Sequence, residues 1–113
     1  ATSGWRVPAF AIANSVPTWE LAGGVMMPIL SLNTAGLSAD DSERATRAAL
    51  AAGISHVDFH PGIERDGVAR VIKSSGGRVA SGLWLTTKIR KPAVESTEAA
   101  AAAAARKQID EDQ

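Results

Sequence analysis

The sequence predicts an α/β fold, in which an N-terminal hairpin leads into a parallel sheet of about three strands with flanking helices. Two observations predict it. Short runs of strand formers alternate with runs of helical periodicity, the order that builds a parallel sheet with right-handed crossovers. The clearest strand, Ile54 to Phe59, is bracketed by Gly53 and Pro61-Gly62 and places Asp58 near its C-terminal end. In parallel α/β folds that end of the sheet holds the chemistry.

The first element is a hairpin within Trp19 to Leu32, with Leu21 to Pro28 running through a turn at Gly23-Gly24. Ile29 to Leu32 follows as a short apolar strand, and Asn33 to Gly36 as a loop. Ser38 is an N-cap. Asp40 and Asp41 sit in the first turn, where the helix dipole favours negative charge. This helix runs to about Ala52, with Ala45, Ala48, Ala49 and Ala52 as its expected inner face and Gly53 at its end.

After the central strand, Glu64 to Ser74 reads as a second helix with Val68, Val71 and Ile72 as its apolar stripe, stopped by Ser75-Gly76-Gly77. Gly82 to Ile89 reads as the next strand, with Lys88 at its C-terminal end. On neighbouring parallel strands Asp58 and Lys88 project from one sheet edge, close enough for an ion pair. Ser96-Thr97-Glu98 starts a third helix built on seven alanines, Ala99 to Ala105, with Arg106 and Lys107 near its basic end and Asp110-Glu111-Asp112 as an acidic tail. The chain divides into an extended arm (1–17), an α/β unit (18–92) and an alanine-rich helix with its tail (93–113).

Composition narrows the function. A chain of 113 residues has room for one small domain. Lys and Arg balance Asp and Glu at 12 each, so charge makes no case for nucleic acid or an anionic membrane surface. The absence of cysteine excludes disulfides and thiolate metal sites, and two histidines are too few to build a metal centre readily. No apolar run approaches the roughly 20 residues of a membrane-spanning helix. The arm carries Trp5, Phe10 and Ile12 as large apolar studs, the expected partner-binding residues, since such side chains are poorly tolerated on a free tail. There is no tyrosine.

Met27-Pro28-x-Leu30, Thr34, Ala48-Ala49-Leu50-x-Ala52-Gly53, His56-Val57-Asp58 and Leu85-Thr86-Thr87-Lys88 together resemble the N-terminal part of the aldo-keto reductases, over about residues 19–92. The resemblance implies part of a (β/α)8 barrel opened by a hairpin, a nicotinamide cofactor, usually NADPH, and reduction of aldehydes and ketones. It implies catalysis by an Asp, a Tyr, a Lys and a His, the Lys–Asp pair lowering the pKa of the proton-donating Tyr. By position the Asp is Asp58 and the Lys is Lys88. The Tyr position, five residues after Asp58, is Ile63, which has no proton to give. His60, in the same loop, is a weak substitute acid. In the family's Leu-Gly-x-Gly-Thr turn the glycines are here Ser31 and Asn33, leaving Thr34 as a vestige of cofactor binding. A full barrel also needs roughly 250 residues.

The expectation is therefore a pseudoenzyme. It is an aldo-keto reductase-like remnant without catalytic residues or cofactor, Asp58, Lys88 and Thr34 being vestigial, that serves as a structural or interaction subunit of a larger protein assembly. Two alternatives stay open: a truncated or split NADPH-dependent reductase, and a nucleotide-binding regulatory module. A start at Ala1 and an alanine-rich, cysteine-free composition suit an organelle, such as a plastid (chloroplast) complex where the chain sits peripherally on membrane proteins; otherwise the chain is cytoplasmic.

Overall fold

The computed structural model describes residues 16–112. Trp5, Phe10 and Ile12 lie outside the described residues. Strands β1 (Thr18–Glu20) and β2 (Met26–Pro28) form an antiparallel pair with Trp19 opposite Met27. Leu21 N donates to Val25 O at 2.7 Å across a short 3-10 turn, Ala22–Gly24, in which Gly23 and Gly24 adopt φ values of 79° and 76°. A side chain is strained there, which is why the turn falls on two glycines. The first hairpin strand lies N-terminal to the expected Leu21, because the turn itself takes up Leu21 to Val25.

Strands β3 (Leu32–Asn33), β4 (His56–Asp58) and β5 (Trp84–Thr86) form a parallel sheet with β4 in the middle. Leu32 pairs with Val57, and Val57 with Leu85. The expected strand Ile29 to Leu32 is corrected to Leu32–Asn33. Ile29 N donates to Pro17 O at 3.1 Å, so this residue prolongs the hairpin and does not enter the parallel sheet. Strand β5 is also shorter than Gly82 to Ile89, since a 3-10 turn occupies Val79–Gly82. The sheet does not close into a barrel among the described residues. Strands β3 and β5 remain its two edges.

Helix α1 (Ala39–Ala51) begins where Ser38 Oγ accepts the backbone N–H of Asp41 at 3.1 Å. It ends before Gly53, whose φ of 86° turns the chain out of the helix. Its buried face is Ala39, Ser42, Thr46 and Ala49, whereas the expected Ala48 and Ala52 are exposed and Ala45 is half-buried. The correction has a physical cause. The helix packs most closely on α2 (Glu64–Ser74), and the small polar residues Ser42 and Thr46 lie on the side that meets it. Ser42 Oγ donates to Glu64 O at 2.7 Å across that contact.

Helix α2 matches its expected bounds and stripe. Val68 and Val71 are buried, and Ile72 packs on a core of Val57, Phe59 and Val68 that Leu83 completes. Arg70 on α2 reaches Asp40 on α1 at 2.7 Å and Glu43 at 3.6 Å. Its guanidinium is held above its ordinary pKa, chiefly by the hydrogen bond to Asp40.

Helix α3 spans Glu98–Asp112, with Thr97 Oγ1 accepting Ala100 N at 3.1 Å at its start. Asp110, Glu111 and Asp112 are helical, not a tail, and Arg106 and Lys107 lie inside the helix. Two contacts hold the last turns: Gln108 is buried against the segment after β5, and Glu111 lies 3.7 Å from Arg90.

Candidate functional site

The parallel register delivers the central pair. Asp58 ends β4, Thr86 opposite it ends β5, and Lys88 follows two residues on. Lys88 Nζ donates to Asp58 Oδ1. The two side chains keep 43% and 23% of their surface exposed, so solvent screens the pair and its net contribution is about 0–1 kcal/mol.

On the other side of β4, Thr34 N donates to Asp58 O at 3.1 Å. Leu37 N closes a turn onto Thr34 O at 3.1 Å, with Gly36 at φ 79° supplying the left-handed corner. Thr34 is fully buried and its hydroxyl finds no hydrogen-bond partner among the described residues. Asn33 Oδ1 accepts Ala35 N at 2.8 Å, an Asx turn that uses the side chain where the resemblance implies a glycine.

Ile63 immediately precedes α2 in right-handed helical conformation, with 62% of its surface exposed. Its backbone carbonyl accepts Asp66 N, so the residue serves as the helix's first turn while its side chain faces water. The His60 ring is half-buried and makes no hydrogen bond among the described residues. The structure therefore brings Asp58, Lys88 and the backbone of Thr34 together. Trp5, Phe10 and Ile12 fall outside it.

Two residues carry more of this region than their sequence context signals. His56, 8% exposed, has Nδ1 2.8 Å from Pro28 O and Nε2 2.6 Å from Thr86 Oγ1. A carbonyl only accepts, so the partner chemistry assigns the proton to Nδ1. In the neutral ring Nε2 then accepts from the Thr86 hydroxyl. One imidazole thus pins the hairpin to β4 and β5. Gln108, 3% exposed, accepts Arg90 N at 2.7 Å through Oε1 and donates from Nε2 to Lys88 O. It fastens α3 to the residues that follow β5. A histidine beside a strand's terminal Asp was a readable signal. A glutamine after a run of alanines was not.

No group of three or more His, Cys, Asp or Glu side chains able to hold a metal ion occurs among the described residues, and no helix among them is long and apolar enough to cross a membrane. Comparison with protein-family models, with curated proteins and with solved structures finds no match to this chain.

Proposed function

We propose that the chain is a non-catalytic, aldo-keto reductase-like scaffold, a partial barrel, that works by holding other protein subunits in a larger assembly. The observation that carries this reading is the open parallel sheet. Trp84 N donates to Ser55 O and Phe59 N to Thr86 O, so both face β4. Strand alternation then leaves the N–H and C=O of Leu85 on the outer edge. Leu85 and Ile89 beside that edge are each 47% exposed, and Trp19 on the hairpin is 65% exposed. An exposed edge flanked by apolar side chains is a template for pairing with another segment. The loss of a proton donor supports the same reading, because Ile63 stands where carbonyl reduction needs an acid.

The paired Asp58 and Lys88 favour a second reading, a reductase whose remaining strands lie elsewhere. The discriminating experiment is sedimentation of the purified chain together with an assay of carbonyl-dependent NADPH oxidation. The scaffold reading expects concentration-dependent association that Leu85→Lys with Ile89→Lys suppresses, and no turnover. Turnover by the chain, or a monomer at every concentration, overturns it.

A further inference from the structure

We propose that the cleft between α3 and the segment joining it to β5 binds a small organic phosphate. The cleft encloses about 390 Å³, within the range of small-molecule sites of roughly 300–1,000 Å³. Arg90, Lys91 and Lys107 line it against one acidic residue, Glu111. Three cations less one carboxylate leave an excess of two positive charges, in a chain whose net charge is zero. The other acids described on α3 at its first turn and at position 110, Glu98 and Asp110, lie outside the lining.

The floor of the cleft is organised by its own hydrogen bonds. Gln108 is buried and joins Arg90 N to Lys88 O. Arg90 Nη2 donates to Pro61 O at 3.1 Å, and Nη1 lies 3.7 Å from Glu111 Oε2, so the guanidinium plane is oriented before any ligand arrives. Lys91 and Lys107 are exposed and make no hydrogen bond or ion pair with any described residue. Both line the same cleft, so their ammonium groups are available to an anion that enters it.

The geometry selects the ligand class. An oriented guanidinium and two ammonium groups supply donors from three side chains, which suits a tetrahedral dianion better than a planar monoanionic carboxylate. The Ser96 hydroxyl adds one more donor on the lining. The volume exceeds what a bare phosphate fills, and Pro92 and Ala104 provide an apolar wall for an organic body. The ligand is therefore a phosphate monoester with a small uncharged substituent. This inference does not rest on the scaffold reading, since a catalytic or a structural chain could hold such a ligand equally well.

The test is titration of the full isotope-labelled chain with phenyl phosphate, followed by amide NMR shifts at constant ionic strength. Inorganic phosphate, acetate and benzyl alcohol serve as comparison probes. Saturable shifts centred on residues 90–96 and 104–111 are expected, with phenyl phosphate binding more tightly than inorganic phosphate and both more tightly than acetate. Lys91→Ala and Lys107→Ala each weaken binding by about tenfold, the loss of one charge-assisted contact. Glu111→Gln tightens it, and Lys73→Ala on α2 leaves it unchanged. Neither lysine loses a hydrogen bond or ion pair to a described residue, so these variants fold. Absence of saturation, equal shifts with acetate or benzyl alcohol, or indifference to both lysine variants overturns the proposal.

Discussion

Gly67 of α2 lies so close to Ala39 of α1 that a Cβ built on it would fall 2.3 Å from the Ala39 carbonyl oxygen and 2.7 Å from Glu43 N. Both are helix backbone atoms, which cannot rotate aside as a side chain would. Helix propensity alone favours alanine over glycine by about 1 kcal/mol. The clash has the opposite sign and is larger, because relieving it means separating the two helices and breaking the Ser42–Glu64 hydrogen bond. Gly67→Ala is therefore expected to lose about 1–3 kcal/mol of stability, as overpacking does. Urea unfolding checks this. Gly82→Ala, where a new Cβ meets nothing within 4 Å, is the control and stays within about 0.5 kcal/mol.

His56 makes a second prediction, about how the hairpin is attached. Its two ring nitrogens serve Pro28 O and Thr86 Oγ1. In His56→Ala the carbonyl of the buried Pro28 loses its bond, at about 1–3 kcal/mol for a group left unsatisfied, whereas the hydroxyl of the exposed Thr86 turns to water at little cost. Thr86→Val removes only one of the two bonds and leaves the hairpin held through Nδ1. The loss in His56→Ala should exceed that in Thr86→Val. Faster hydrogen exchange at the β1–β2 amides should appear in the histidine variant alone. Equal exchange in both would mean that the hairpin is held by other contacts.

Thr46 tests the reverse sign. It is fully buried on the α1–α2 side, and its hydroxyl has no hydrogen-bond partner among the described residues. Burying an unpaired hydroxyl costs about 1–3 kcal/mol on the scale of protein variants. Thr46→Val replaces that hydroxyl with a methyl group of similar size and should raise the urea midpoint, by up to about 1 kcal/mol in stability. Most core substitutions destabilise, so a rise here identifies the unpaired hydroxyl as the cause. A fall would show that the hydroxyl is satisfied in solution.

The fold was legible in the sequence where apolar spacing and strand order set it. Helix α2 could be read to its ends because Val68, Val71 and Ile72 repeat with helical spacing and glycines follow. The Asp58–Lys88 pair was legible from strand order, since parallel neighbours bring their C-terminal ends together. The inner face of α1 was not legible. Its buried positions include Ser42 and Thr46, which hydrophobicity assigns to solvent, while Ala48 and Ala52 are indifferent to burial. Strand β3 was misplaced because Ile29 and Leu30 are strand formers by composition, yet Ile29 bonds back to Pro17 and both side chains are half-exposed. Helix α3 runs on through Asp110 to Asp112, and its last turns meet Arg90 through Gln108, 18 residues after that arginine, a long-range contact that local pattern cannot carry.

The Asp58–Lys88 pair gives the last prediction, because its two readings differ in what should change. A screened, half-exposed ion pair contributes about 1 kcal/mol or less. Asp58→Asn keeps the shape of the side chain and removes its charge, so it should lower stability by no more than that amount, and the effect should shrink in high salt as screening increases. Lys88→Met should show a similarly small effect, and the double variant should fall short of the sum of the two, since each single change already removes the pair. On the scaffold reading any background NADPH oxidation is the same in wild type and variants, since Ile63 offers the pair no proton to tune. If Asp58→Asn instead abolishes a measurable carbonyl-dependent rate while stability is unchanged, the pair is part of a reaction and a residue elsewhere, not one at position 63, supplies the proton. The joint readout of salt-dependent stability and rate separates a contact retained for structure from one retained for chemistry.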